Sequence, residues 1–139
     1  VLDTCGISEG LKRAVHKNVF FWIKAQEEDN LFLSILKMGE IQKGIQKDPD
    51  QNRKKKLKIW VEEDLKKRFE NRIIPIDLKV VTNWGSIQGL AELAGRTMPT
   101  LDGLIAVSGL TYNCVVATRN TSDMEQSTAE LFNPWEYKE

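Results

Sequence analysis

The sequence has few of the residues that build covalent or metal-linked frameworks. It contains two cysteines, Cys5 and Cys114, and one histidine, His16, among 139 residues. Two cysteines do not make a disulfide framework or a metal-ligand set, and a lone histidine lacks the partners that metal sites and catalytic triads need. We therefore interpret His16 as structural or exposed, and a reduced, cytoplasmic setting is the simplest one for the chain.

The chain also lacks a net charge and long apolar runs. Its 20 basic and 20 acidic residues balance, so binding to nucleic acid needs a local basic patch and not a global field. No run of 18 apolar residues and no signal-like start occur, so we expect neither a membrane span nor secretion. With 41% hydrophobic residues and no repeat or linker, the sequence predicts one domain over residues 1–139.

Short apolar runs alternate with stretches of helical periodicity. Strands are predicted at the start of the chain and at 31–34, 73–76, 114–117 and 131–132. Helices are predicted between them, because apolar residues there recur every three or four positions. This alternation favours an α/β sandwich with a mostly parallel central sheet.

Several features of the helices are predicted in more detail. Asp77 caps a helix that runs to residue 94, and Gly95 ends it. Gly44, inside a helix over 37–47, costs about 1 kcal/mol against alanine and suggests close packing or a nearby ligand. The predicted inward faces are Met38, Ile41 and Ile45; Leu57, Trp60, Val61, Leu65 and Phe69; Val80, Val81, Trp84, Ile87 and Leu90; and Leu101, Leu104, Ile105, Val107 and Ser108.

Four acidic residues share one kind of position. Asp3 ends the first strand, Glu40 lies early in the helix after the second, Asp102 is in the first turn of a late helix, and Asp123 follows the strand at 114–117. The carboxyl ends of parallel strands and the helices that follow them meet at one edge of the sheet. Taken singly, each acid is explained as well by a turn, a helix cap or a solvated surface.

Carboxylates that gather at one edge repel each other unless a cation neutralises them. Mg²⁺ or Mn²⁺ does this well, because both ions take oxygen ligands and retain water molecules. Such a site is suited to hydrolysis of a phosphodiester bond. Polar neighbours predicted to support the carboxylates or waters are Thr4, Ser8, Thr118 and Asn120.

Five local sequences occur along the chain in a characteristic order: LDTCGISE, MGEIQKGI, PTLDGLIAV, ATRNTSD and FNPW. Together they resemble the PIN-domain family, and most closely the VapC and FitB toxins of bacterial type II toxin–antitoxin systems. The resemblance implies a PIN-like three-layer sandwich and a homodimer. It also implies an Mg²⁺- or Mn²⁺-dependent endoribonuclease that cuts structured RNA, often tRNA, by means of metal-activated water.

The resemblance also assigns roles to residues. It implies that Asp3, Asp102 and Asp123 bind metal and that Glu40 completes the catalytic set, often acting through water. A cognate antitoxin, itself a DNA-binding protein, is implied as a partner, so operator DNA is reached only through the antitoxin.

Two positions depart from the family pattern. Cys5 stands where asparagine is usual, and Met124 stands where phenylalanine is usual. A thiol is a poor replacement for an amide, which both donates and accepts hydrogen bonds.

Basic residues near the acidic edge in sequence are candidates for RNA phosphate contacts, although exposed, solvated charge explains each equally well. The basic run at 53–56 is interpreted first as a solvated helix face. The candidates are Lys12, Arg13, Lys43, Lys47 and Arg119.

The sequence favours the nuclease over two other functions. A catalytically weak or inactive module that binds RNA or antitoxin is disfavoured, because a surface for a polyanion gains nothing from four carboxylates. A phosphoacceptor signalling domain needs paired acids after the first strand, an acceptor aspartate ending a middle strand and a lysine ending the last strand. The sequence does not have these features in that order.

Overall fold

A computed structural model describes residues 17–138 of the chain. The predicted first strand lies outside the described residues. The same holds for the site residues predicted there, which are Asp3, Thr4, Ser8, Lys12 and Arg13.

Helices make up most of the described structure. Three short 3₁₀ turns, Glu28–Asn30, Glu125–Ser127 and Pro134–Glu136, accompany them, and a π-helical turn, Val61–Leu65, joins two of the helices. The α-helices are α1 Lys17–Ala25, α2 Ile35–Lys47, α3 Gln51–Trp60, α4 Lys66–Arg68, α5 Leu78–Leu93, α6 Thr100–Thr111 and α7 Thr121–Met124.

Four strands of two residues each form two parallel pairs. β1 Leu33–Ser34 pairs with β2 Ile73–Ile74, and β3 Val116–Ala117 pairs with β4 Leu131–Phe132. These strands confirm the predicted parallel pairing. They are shorter than the predicted runs at 31–34, 73–76 and 114–117, and among residues 17–138 the pairs are two separate sheets. β2 ends directly before Pro75, which has no N–H group for a strand ladder.

Two apolar clusters lie on opposite sides of these strands. Val116 and Ala117 are adjacent in β3 and enter different clusters, as expected because successive strand side chains point to opposite faces. Each cluster includes residues of both strand pairs. The first cluster is formed by Leu31, Leu33, Ile41, Ile45, Val61, Leu65, Phe69 and Ala117, and the second by Ile74, Ile105, Ala106, Val116 and Met124.

The helix predicted from Leu57 to Phe69 is interrupted by the π turn. Val61, Leu65 and Phe69 are spaced four residues apart, and each is buried. In an α-helix with 3.6 residues per turn, such a series drifts round the axis by about 40° at each step. The wider π turn reduces this drift, so all three side chains reach the same cluster.

Both ends of α5 agree with the prediction, and its inward face agrees in part, since Val80 is fully buried and Trp84 and Ile87 are half-buried. Asp77 caps α5 through its side chain, and Gly95 follows it with a φ of 70°. Val81 and Leu90, predicted to face inward, are 43% and 69% exposed. Gln88 is buried in their place, because its side-chain amide binds both the N–H and the carbonyl of Met98.

The prediction for Leu101 is wrong, and for Gly44 close packing is wrong whereas a nearby ligand stays a prediction. Leu101, placed on the inward face of α6, is 45% exposed, because it lies on the first turn and only the later turns of α6 are fully packed. Gly44 is exposed, and a Cβ atom built on it would meet nothing within 4 Å, so close packing does not explain this glycine.

No helix within residues 17–138 is both long and apolar enough to cross a membrane.

Candidate active site

Lys37 and Glu40 form an ion pair on the first turns of α2. Lys37 Nζ lies 2.6 Å from Glu40 Oε2, and the exposed side-chain fractions are 3% for the lysine and 28% for the glutamate. A buried ammonium group requires a charged or hydrogen-bonding partner. The pair therefore holds the Glu40 carboxylate at a fixed place near the carboxyl end of β1.

Ser34 sets the position at which α2 begins. It is fully buried at the end of β1, and its Oγ accepts a hydrogen bond from the N–H of Leu36 at 3.3 Å. A serine N-cap satisfies one of the free N–H groups of the first helical turn. Because the strand stops at Ser34 and the helix begins at once, Glu40 lies within two turns of the strand end.

Sequence analysis missed Lys37, although a signal was present. The buried residues of α2 are Lys37, Ile41 and Ile45, spaced four apart. The lysine therefore continues the apolar face of the helix. A charged residue on such a face predicts a buried charge with a partner, and the partner is the acid three residues later.

Asp102 occupies the first turn of α6, as predicted, and is half-buried. An anion there is favoured by the helix dipole. The next residue, Gly103, is packed closely, since a Cβ atom on it would lie 3.2 Å from Met98 Cε and 3.3 Å from Trp84 Nε1. This close packing fixes the backbone that carries Asp102.

The segment after β3 holds three of the predicted residues. Thr118 is fully buried, its N–H donates to the carbonyl of Phe132 at 2.9 Å, and its Oγ1 accepts from the N–H of Asn120 at 3.0 Å. Asn120 immediately precedes α7, where Asp123 is exposed. Met124, which departs from the family pattern, is completely buried in the second apolar cluster and anchors α7.

The described basic candidates differ in their surroundings. Lys43 and Lys47 are exposed on α2. The Arg119 guanidinium lies over the ring of Trp135, 5.2 Å from the ring centre, an arrangement that favours a cation on an aromatic face.

The basic run at 53–56 begins with a paired arginine. Arg53 donates to both carboxylate oxygens of Asp48, at 2.5 and 2.7 Å. The arginine and the N–H of Asp50 lower the pKa of Asp48 to about 2. The guanidinium of Arg53 is therefore already paired with a carboxylate of the same chain.

The metal site itself remains a prediction. Within residues 17–138, no group of three or more aspartate, glutamate, histidine or cysteine residues is placed so that it could hold a metal ion. The predicted set has a fourth member, Asp3, outside the described residues. The structure places Glu40, Asp102 and Asp123 early in helices α2, α6 and α7.

Solved structures define the class of protein to which this fold belongs. The crystal structure of FitAcB from Neisseria gonorrhoeae matches with a TM-score of 0.92, 28% identity and 97% coverage of both chains. The structure of FitAB bound to the IR36 DNA fragment matches with a TM-score of 0.91 and 28% identity, over 99% of this chain and 96% of the other. The fold is therefore that of a PIN-type toxin.

Sequence relatives identify the family. The chain is 31% identical to the VapC ribonuclease Y4jK of Sinorhizobium fredii over 98% of its length and 97% of the relative. It is 32% identical to the plasmid stability protein StbB of Pseudomonas syringae, over 98% of each. No family model matches the chain. The chain belongs to the family of VapC and FitB toxins, which confirms the resemblance found in its local sequences.

Proposed function

We propose that this chain is an Mg²⁺- or Mn²⁺-dependent endoribonuclease and the toxin of a toxin–antitoxin pair. The observation that supports this best is the identity of 31% to a relative named a VapC ribonuclease, which extends over 98% of the chain. We infer a single PIN-like domain that acts in the cytoplasm.

The available donor groups fit a hard divalent cation. Glu40 is 28% exposed, Asp102 is half-buried and Asp123 is exposed, so none of the three acids is fully buried. Oxygen donors of this kind match Mg²⁺ and Mn²⁺. We propose that Asp3, Asp102 and Asp123 hold the ion.

The remaining residues have separate roles in the proposed reaction. A bound Mg²⁺ or Mn²⁺ supplies Lewis acidity at the phosphate and lowers the pKa of water. Glu40 accepts the proton of the attacking water, since Lys37 holds its carboxylate in place. The attack on phosphorus leaves a 5′-phosphate and a 3′-hydroxyl end. Residues proposed to support the carboxylates are Thr4, Ser8, Thr118 and Asn120.

RNA phosphates are proposed to bind basic side chains around the acids. Arg119 is the strongest described candidate, because its stacking on Trp135 restrains a cation one residue after the buried Thr118. A structured RNA such as tRNA presents the phosphates to several such groups at once. The other proposed contacts are Lys12, Arg13, Lys43 and Lys47.

The proposed partners are a cognate antitoxin and a second copy of the chain. Two of the solved neighbours are FitAcB and FitAB complexes, and the latter is bound to DNA. We infer that operator DNA is bound through the antitoxin.

We also propose that the two strand pairs belong to one central sheet in a three-layer sandwich, which is supported by apolar clusters shared between the pairs.

A catalytically weak module that binds RNA or antitoxin is the second candidate. The observation that favours it is the buried ammonium of Lys37, which occupies one oxygen of Glu40. An oxygen held in this way is less available to water or to a cation. This candidate predicts RNA binding without turnover.

The test is cleavage of total tRNA by the purified chain, with Mn²⁺ and with a chelator, beside an Asp102→Asn variant. We expect cleavage only with Mn²⁺, products with 5′-phosphate ends, and a rate reduced by about 100-fold or more in the variant. Asp64→Asn is the matched control, because Asp64 is exposed in the π turn and undergoes the same chemical change.

Three results separate the candidates. Full activity in Asp64→Asn with loss in Asp102→Asn supports the nuclease. Equal activity in all three proteins contradicts the role of Asp102. Tight binding of tRNA without any cleavage in Mn²⁺ supports the binding module.

A further inference from the structure

Lys37 is the only buried lysine among residues 17–138. Its side chain is 3% exposed, and its Nζ atom lies 2.6 Å from Glu40 Oε2. The neighbours of Lys37 in sequence are apolar, since Leu36 packs against the second apolar cluster and Met38 against the first. The ammonium group is therefore taken out of water at the start of α2, beside an acid of the proposed catalytic set.

Stability alone does not explain a lysine at this position. Lys37, Ile41 and Ile45 are the buried residues of α2, so an apolar side chain would continue the same face. Replacement of a buried ion pair by apolar residues of similar volume is often neutral or stabilising. The lysine is therefore better explained by the effect of its charge on Glu40 and on the acids proposed to gather near it.

The proposed acidic site needs more positive charge than one divalent ion supplies. Its four carboxylates carry four negative charges when they are ionised, and one Mg²⁺ or Mn²⁺ balances two of these. Many nucleases bind a second divalent ion, about 3.5–4 Å from the first. In this chain, a further positive charge is supplied by Lys37. The four carboxylates are those of Asp3, Glu40, Asp102 and Asp123.

The place of the ammonium group also opposes a second ion on Glu40. Mg²⁺ lies about 2.1 Å from its ligand oxygens, so an ion bound to Oε2 would lie within about 5 Å of Lys37 Nζ. Two cations at this separation repel each other, and the repulsion is stronger where little water screens it. Glu40 is therefore held by a cation of the chain itself.

We propose that Lys37 is a positioning residue that takes the place of a second divalent ion, so that the chain binds one Mg²⁺ or Mn²⁺ and not two. The ammonium group of Lys37 holds the Glu40 carboxylate and balances its charge. The single ion is held by Asp3, Asp102 and Asp123. This inference rests on the nuclease proposed above and adds to it the number of ions and the role of Lys37.

Titration with Mn²⁺, followed by electron paramagnetic resonance, counts the ions bound to the purified chain. The signal of free Mn²⁺ gives the number bound, and two ions a few ångströms apart give a separate, spin-coupled signal. The wild type is expected to bind one ion per chain without coupling. Lys37→Met removes the charge and keeps a side chain of similar length, so this variant is expected to bind two ions with the coupled signal.

Two further variants separate the charge of Lys37 from its part in the fold. Lys37→Gln removes the charge but retains an N–H donor for Glu40, and it is also expected to bind two ions. Lys37→Met combined with Glu40→Gln removes the carboxylate as well and is expected to bind one. The circular dichroism spectrum of each variant without metal checks that the chain is folded. If Lys37→Met is not folded, the count for Lys37→Gln decides.

Lys56→Met is the matched control for the loss of one positive charge. Lys56 is exposed on α3 and is not a member of the proposed site. The control is expected to bind one ion with the affinity of the wild type.

The outcomes distinguish this inference from the proposed nuclease. Two coupled ions in the wild type overturn the role of Lys37 and leave a metal-dependent nuclease in place. One ion in the wild type and also in the folded Lys37 variants overturns the inference too, because the ammonium group then excludes nothing. No bound Mn²⁺ in any of the proteins overturns the proposed metal site, and the inference with it.

Discussion

Lys37 differs from the other lysines of the described chain because it lies inside the protein, beside an acid of the proposed catalytic set. Its side chain is 3% exposed, whereas the side chain of its partner Glu40 is 28% exposed. Lys37 therefore depends on Glu40 more than Glu40 depends on Lys37. Without its partner the glutamate can still be solvated, but the lysine is held away from water.

This asymmetry predicts unequal losses of stability. Glu40→Gln leaves a buried ammonium without the Glu40 carboxylate, and we expect the free energy of unfolding to fall by about 3 kcal/mol. Lys37→Met removes the buried charge and keeps a chain of similar length, so we expect a loss of about 1 kcal/mol or less. Urea denaturation of both variants measures the difference.

The ion pair of Glu62 and Lys66 is a suitable control. Its atoms lie 2.8 Å apart, but at least half of each side chain is exposed. Exposed pairs contribute little, so Glu62→Gln and Lys66→Met are both expected to have small effects. A larger loss for Lys37→Met than for Glu40→Gln would show that the lysine does not carry an unfavourable buried charge.

At the residue scale, the positions of the acids were more predictable than their surroundings. Glu40 and Asp102 lie in helices, as predicted, whereas Asp123, predicted in a polar segment after the strand at 114–117, lies in the short helix α7. The pairing of Glu40 with Lys37 was missed, because a lysine is normally assigned to the surface. Burial depends on how α2 packs on the strands, which the local sequence expresses only as the four-residue spacing of Lys37, Ile41 and Ile45.

The side chain of Asp77 makes hydrogen bonds that stabilise the first turn of helix α5. Oδ1 of this residue accepts from the N–H of Val80 at 3.0 Å, and Oδ2 accepts a hydrogen bond from the hydroxyl of Tyr112 at the end of α6. The Tyr112 hydroxyl, followed by the Val80 N–H, lowers the pKa of Asp77. The same contact raises the pKa of Tyr112 above its usual value.

These shifts predict how stability depends on pH. A lowered carboxyl pKa stabilises the folded chain at all pH values above the ordinary pKa of 3.8, and this contribution disappears as pH falls through the folded value. Tyr112→Phe removes the main cause of the shift. We expect the variant to have a lower Tm than the wild type at pH 7, and the gap between them to narrow below about pH 4.

The alkaline side gives a second check on the same contact. A raised tyrosine pKa stabilises the fold below the ordinary value of 10.0, and this contribution is lost as pH rises through the folded value. The gap in Tm between the wild type and Tyr112→Phe should therefore narrow again above about pH 10. A gap that stays constant from pH 3 to 11 would rule out the contact between Asp77 and Tyr112.

At the element scale, the ends of helices and strands were predictable, because the residues that set them lie within a few positions of each end. The Asp77 cap, the Gly95 stop and the end of β2 before Pro75 are of this kind. The inward face of α5 was predicted only in part, because apolar periodicity cannot distinguish apolar residues that pack in the core from apolar residues that stay exposed. Val81 and Leu90 are the residues for which that distinction failed.

In the molecule as a whole, β3 links the two apolar clusters and leads into part of the proposed site. Val116 packs in one cluster and Ala117 in the other, and the next residue, Thr118, is fully buried. Parallel pairing was predictable from the alternation of strands and helices. Strand lengths were not, because an apolar run continues beyond the residues that form ladder hydrogen bonds.

The family was predictable at this scale because the informative local sequences are spread over the whole chain and occur in family order. Relatives at 31% and 32% identity cover 98% of the chain. The gathering of the acids that we propose depends on long-range packing, which no single local sequence specifies.

The central proposal is that Asp102, together with Asp3 and Asp123, binds a divalent cation. Calorimetric titration of the purified chain with Mn²⁺ tests it without any need for the right RNA. We predict saturable binding that Asp102→Asn weakens by at least about 10- to 100-fold, that Asp64→Asn leaves unchanged, and that excess Mg²⁺ displaces. The same binding curve for the wild type and Asp102→Asn would contradict the claim.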